Sequence, residues 1–329
     1  MRISTALLAL LTAWFLSIEP VVAEDIDLFV GRGTQASDAP NLLIVLDNTA
    51  NWGPQAKFEA QKQALVNAFD GLPDGAINVG LMLFTESGGG NSNTDGAYLR
   101  AAIRPLDAAT KAAYRKLLVG DPAGSGGLDI NDDKSNSGKA GLTMMEAYLY
   151  FLGGDGVWER PYAGNNKLKA DYAGNTYLNH SNPSRATCCT DSHDAWALPG
   201  NALSSKSSIQ YNSPVDPNSC ADNFILFIGN GPAQDNASDS ATARNYLENQ
   251  VGVSAIAAQT LPVTPAGSRD NMADEWAYFM NKDSDLDIKT FAIDVQIYSN
   301  ANQCNNASAA GWSALMKNMS SGVGGGSYY

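Results

Sequence analysis

The 329-residue chain carries 34 acidic against 21 basic residues, a net charge of −13. Such a surface repels nucleic acid and anionic lipid, so partners that need a basic face are excluded, and plain solubility accounts for the charge. Roughly 300 residues beyond the leader are enough to bury a core in one large domain or two small ones.

Arg2, the apolar run from Leu7 to Leu16 and the small-residue site Val21-Val22-Ala23 read as a secretory signal over 1–23, with the mature chain starting near Glu24. The run is too short for a membrane span and is soon followed by Glu19 and Pro20. No later stretch is apolar enough to be a transmembrane segment, so the chain is expected to be exported. Loss of the signal removes Arg2 and Glu19 together and leaves the net charge unchanged.

After a lead-in over 24–40, Asn41-Leu-Leu-Ile-Val-Leu-Asp47 is an unbroken apolar run closed by an acid, the pattern of a parallel strand covered on both faces. Phe58, Leu65, Ala68 and Phe69 recur at helical spacing after Pro54, which suits a first turn. A strand over Ile77–Phe84, a helix over Ala108–Leu118 and a helix over Leu142–Leu152 continue the alternation. From 153 to 219 the periodicity disappears and Gly, Asn, Ser and Pro dominate, which marks an insertion. Its scattered aromatics, among them Trp158, Tyr172 and Trp196, form either a binding face or the small core a long loop needs. Asn223–Ile228 and Ile288–Val295 resume as strands. Helices are expected near Ala241–Gln250, Asn271–Asn281 and Ser308–Met319. The closing Gly324-Gly-Gly-Ser-Tyr-Tyr329 looks like the start of one more strand, so a continuation is expected. This order predicts an α/β fold, Rossmann-like, with a mostly parallel sheet flanked by helices over 41–329 and ligands beyond the strand carboxyl ends.

Cys188, Cys189, Cys220 and Cys304 form an even set, which in an oxidising compartment favours disulfides without fixing their connectivity. A bridge between the neighbours Cys188 and Cys189 would be strained, so each is expected to reach a distant partner and staple the insertion. A zinc site from these two with His193 has no common ligand spacing.

Asp47, Thr49 and Asn51 alternate directly after the best strand, so a tight turn can aim three oxygens at one point, as a hard cation such as Mg²⁺ or Ca²⁺ requires. Thr143 in Gly141-Leu-Thr143 offers a hydroxyl at a helix start, and Asn230 in Gly229-Asn-Gly231 an amide oxygen after a later strand. Asp129-Ile-Asn-Asp-Asp133-Lys-Ser135 imitates a calcium loop but has Lys134 at the glycine position and Ala140 in place of the closing Glu, so it reads as a solvated loop. Asp283, Asp285 and Asp287 read as a turn. Only His180 and His193 are available, no GxSxG, HExxH or phosphate-cradling glycine loop occurs, and Ser192-His193-Asp194 are chain neighbours rather than a triad, so no enzyme is expected.

The order strand-DxSxS, GxT before a helix, strand-TDG resembles the metal-ion-dependent adhesion site (MIDAS) of von Willebrand factor A (vWA) domains. Asp47, Thr49 and Asn51 fall on the first motif, Thr143 on the threonine and Asn230 where the family has Asp; positions 51 and 230 depart from it. The export signal, Cys220 before the Asn223 strand, the insertion, Glu275-Trp-Ala-Tyr-Phe-Met-Asn-Lys-Asp283, Ile288-Lys-Thr-Phe-Ala-Ile293 and the Gly-rich close together resemble the amino-terminal part of PilY-type type IV pilus tip-associated adhesins. By that resemblance, the family's last helix and propeller-like carboxyl half are expected to fall outside these 329 residues. The resemblance implies cell adhesion and pilus biogenesis, with a host or surface ligand, or minor pilins and the pilus tip, as partners. It places the protein in the periplasm, on the outer surface or in the fimbrium. Metal binding at so weakly charged a MIDAS-like site is expected to be weak or absent. A scaffold priming pilus assembly with an inert site is the alternative, and a hydrolase subunit that only presents substrates is a third.

Overall fold

The computed structural model describes residues 38–49, 56–84, 96–120, 127–128, 133–153, 162–163, 167–168, 202–204, 210–250, 272–295 and 309–329. In chain order these hold β1 (Asn41–Leu46), α1 (Ala56–Gly71), β2 (Asn78–Phe84), β3 (Ala97–Pro105), α2 (Ala108–Val119), α3 (Ala140–Leu152), the two-residue strands β4 (Tyr162–Ala163) and β5 (Lys167–Leu168), β6 (Asn223–Gly229), α4 (Ala237–Asn245), α5 (Ala273–Lys282), β7 (Ile288–Asp294), α6 (Ala309–Lys317) and β8 (Gly325–Tyr328). α4 and α6 each run into a π-helical turn, Tyr246–Gln250 and Asn318–Gly322.

Six strands form one sheet in the order β3-β2-β1-β6-β7-β8, parallel except for the β2–β3 pair. The fold is therefore a mixed α/β sheet flanked by helices. The apolar runs behave as their patterning predicts: β1 and β6 are buried along nearly their whole length. β7 instead alternates buried and half-buried positions, because one of its faces is less covered. The glycine-rich close does enter the sheet, as the edge strand β8. β3 has no counterpart among the expected strands. It returns antiparallel beside β2, and at Gly80 a Cβ would lie 2.7 Å from an Ile103 carbon. The ladder shifts register here, and the Ile103 N–H donates instead to the Tyr150 hydroxyl on α3 at 2.8 Å.

The main core lies between the sheet and α3, α4 and α5, where Trp276 and Phe279 pack on Tyr148 at 5.4 and 5.1 Å between ring centroids. The far end of the insertion belongs to this core: Ala202, Leu203 and Tyr211 are buried, and Tyr211 donates a hydrogen bond to Glu146 on α3. Of the Asp129–Ser135 loop expected to be solvated, Asp133 and Ser135 are instead buried, while 129–132 lie outside the described residues. Asp283–Asp287 forms a turn with Asp287 at φ 41°, and Asp285 and Asp287 are exposed. Cys220 is exposed ahead of β6, while Cys188, Cys189 and Cys304 lie outside the described residues. No helix among the described residues is long and apolar enough to cross a membrane.

The amino-terminal ends of three strands are aligned by asparagine. Asn41, Asn78 and Asn223 face one another in register on β1, β2 and β6, and Asn78 donates to Asn41, which donates to Asn223, each at 3.0 Å. One-residue slips would break this row, so it supports the register that apolar patterning alone leaves weakly specified on doubly covered strands. Asn41→Ala is expected to cost about 1–3 kcal/mol by stranding its buried partner Asn223, read as a lower urea midpoint at unchanged m-value.

Candidate functional site

The carboxyl ends of β1 and β6 lie side by side, since Leu46 pairs with Ile228. Asp47 continues the ladder by donating its N–H to the Ile228 carbonyl at 2.9 Å. Its side chain is buried and does two jobs: Oδ1 accepts from the Thr49 N–H at 2.7 Å, closing the turn, and Oδ2 accepts from the Asn230 N–H at 2.9 Å, lashing the β1 loop to the β6 loop.

Asn48, which the motif treats as a spacer, is equally engaged. Its amide nitrogen donates to the carbonyls of Phe84, at the end of β2, and Asp133 at 3.0 and 2.6 Å. The Asn48 main-chain carbonyl accepts from the Ser135 N–H at 2.9 Å, so Thr49 and Ser135 form an isolated parallel bridge. The segment between 133 and 139 is thereby drawn against the turn. Gly138 sits where a Cβ would lie 3.4 Å from both the Thr49 methyl and the Phe84 ring.

α3 begins directly after this segment. It has no side-chain cap of its own, because Lys139 stands at the cap position. Asp235, from the β6 loop, takes that role: its oxygens accept from the N–H groups of Ala140 and Gly141 at 2.9 and 3.0 Å. The Gln234 N–H also donates to the Gly138 carbonyl at 2.6 Å. Thr143, in the first turn of that helix, is wholly buried. The Oγ1 atoms of Thr143 and Thr49 and the Oδ1 of Asn48 are buried without a hydrogen-bond partner.

The structure therefore joins the β1 loop with Asp47 and Thr49 to the β6 loop with Asn230, and ties the β6 loop through Asp235 to the start of α3, whose first turn holds Thr143. Asn51 lies outside the described residues. Two residues that sequence reasoning passed over, Asn48 and Asp235, do most of the joining. The signal for Asp235 was indirect, namely a helix start with Lys139 where Ser, Thr, Asp or Asn is preferred, which calls for a cap from elsewhere.

Asp235 belongs to a buried charged trio. Lys139 Nζ pairs with Asp239 Oδ2 at 2.7 Å and donates to the Gln234 carbonyl at 2.7 Å. Burial pushes the Asp235 carboxyl up to about 7, with the Asp239 charge adding, while Lys139 and the two helix N–H groups oppose the rise. Among the described residues no cluster of three His, Cys, Asp or Glu side chains is placed to hold a metal, so any ion at the rim would depend on hydroxyl and amide oxygens besides Asp47.

Beyond the rim, Asp294 ends β7 beside Gly229. It accepts from the hydroxyls of Ser313 on α6 and Tyr328 on β8, tying the sheet edge to its last helix. Burial, with the Asp294 charge adding, pushes the Tyr328 hydroxyl up to about 12. Trp312 covers Gly229, where a Cβ would lie 2.4 Å from the indole.

No family model and no curated protein matches the chain. Two solved structures of proximal thread matrix protein 1 (PTMP1) from the mussel byssus are similar at 9% identity with a TM-score of 0.34, over 86% of this chain and 47% of theirs. The chain thus spans about half the length of the structures it matches. That likeness is too distant to bear on fold or function.

Proposed function

We propose that this chain is the vWA-like domain of an exported, type IV pilus-associated adhesin of the PilY type, a binding module rather than a catalyst. Its working surface is the rim at the carboxyl ends of β1 and β6. One observation carries the reading: Asp47 lashes two loops together, and the hydroxyls of Thr49 on the β1 loop and Thr143 in the first turn of α3 are buried without a partner. Oxygens buried without partners are costly unless something else satisfies them, and a hard cation fits such a set. Asp47, Thr49, Asn51, Thr143 and Asn230 are the residues that would hold Mg²⁺ or Ca²⁺. The bound ion would offer an open coordination position to an acidic group of a surface ligand or host protein. With Asp47 the one carboxylate in the set, affinity is low. The likeness of the insertion and its cysteines to that family supports a disulfide-stapled segment, and the leader supports residence in the periplasm, on the outer surface or at the pilus tip.

A second reading has its own support. Both Asp47 oxygens already accept backbone N–H groups, so the loops hold together without an ion. The domain then serves as a scaffold that docks minor pilins during pilus assembly.

Thr143→Val removes one oxygen and little else, so the fold should survive. Adhesion predicts that surface attachment falls several-fold at an unchanged number of pili, and that the thermal shift given by millimolar Mg²⁺ or Ca²⁺ disappears. Loss of pili with normal attachment per pilus would decide for the scaffold.

A further inference from the structure

We propose that Asp235 supplies the rim with the second negative charge that Asn230 does not carry, acting through space from the amino-terminal end of α3. The inference rests on the cation-binding reading above. Asp235 lies five residues beyond Asn230 on the same loop and is fully buried. Its bonds to Ala140 and Gly141 hold it against the first turn of α3, which carries Thr143. Gln234, its neighbour, is bonded to Gly138, which abuts the Thr49 methyl. The carboxylate is thus tied to the start of the helix that carries Thr143, and its neighbour to the segment packed on Thr49.

Charge balance singles it out. Lys139 and Asp239, the charged groups that face Asp235 among the described residues, neutralise one another as a buried pair. Asp235 is left as the odd charge of the trio, in a poorly screened interior where its field reaches well beyond contact. Asp294, at the end of β7, accepts from the Ser313 and Tyr328 hydroxyls instead.

Because burial holds Asp235 near a neutral titration point, proton and cation compete for the same charge. A cation at the rim favours the ionised carboxylate, so by linkage its affinity rises with pH until that group is ionised without help.

The test is calorimetric titration of the whole chain with MgCl₂ and with CaCl₂ between roughly pH 5.5 and 8.5, in buffers of different ionisation enthalpy. The expected result is an affinity rising about tenfold through neutrality, with proton release near the midpoint. Asp235→Asn flattens the profile and lowers the high-pH affinity. Asp239→Asn, which removes the neighbouring charge that raises Asp235, moves the midpoint to lower pH. Should Asp235→Asn fail to fold, the proton release of the unmodified chain and the Asp239→Asn midpoint decide. A flat profile in the unmodified chain, or an undiminished pH dependence in Asp235→Asn, overturns the role of Asp235 and leaves the rim site standing. No heat of binding at any pH overturns both.

Discussion

Asp47→Ala should destabilise the domain by roughly 3–5 kcal/mol, a large share of a typical folding free energy. The substitution strands two buried N–H groups, those of Thr49 and Asn230, in a place water does not reach. Each such group costs about 1–3 kcal/mol when its partner is removed. Asp47→Asn keeps one acceptor oxygen but turns an amide N–H₂ toward the other donor, so about half the loss is expected. Urea unfolding checks both, with midpoints falling in the order unmodified, Asn, Ala. Equal midpoints for the unmodified chain and the Ala variant would mean that the carboxylate does not join the two loops. The same experiment warns against reading lost attachment in Asp47→Ala as a lost metal ligand, which is why Thr143→Val is the cleaner probe of adhesion.

Stability should fall as the pH rises from about 4 to about 7, the reverse of the usual carboxylate trend. The sign follows from Asp235, whose carboxyl ionises near 3.8 when unfolded and near 7 when folded. Below 3.8 both states hold the proton and the contribution is fully present. Between the two values the unfolded chain has released its proton while the folded chain retains it, so each increment of pH favours unfolding. Roughly three pH units at 1.4 kcal/mol per unit amount to a loss on the order of 4 kcal/mol at most, complete once the pH passes the folded value. Asp235→Asn cannot titrate and should flatten this part of the profile, at a constant cost of about 1 kcal/mol for the helix N–H that loses its acceptor. Urea midpoints at several pH values measure both effects, and a profile of the unmodified chain that rises from pH 4 to 7 would contradict the burial of an uncompensated carboxyl.

The elements that could be read in advance carry strong local periodicity. β1, β2 and β6 are apolar runs, β7 alternates, and α1, α2, α3 and α5 repeat apolar residues at helical spacing, so each lies within a few residues of its expected bounds. β3 gave no such signal. Tyr98-Leu-Arg-Ala-Ala-Ile-Arg104 mixes two arginines, which break the apolar run, with alanines, which are depleted in strands. Yet Arg100 is buried, so the segment is a strand because of where it packs rather than what it contains. The 133–139 loop failed for a related reason: its acids and serines looked solvated, whereas Asn48 draws Asp133 and Ser135 inward.

The rim divides in the same way. By itself the sequence determined that Asp47 and Thr49 share a turn at the end of the central strand, that Thr143 opens a helix and that Asn230 follows another buried strand, because these are short-range patterns. Only the tertiary structure decided that Asp47 would lash the Asn230 loop across 183 positions and that Asp235 would cap α3 across 94. Such pairings depend on strand order and register, which gather remote loops at one end of the sheet, and no local periodicity encodes which donor a remote carboxylate will meet.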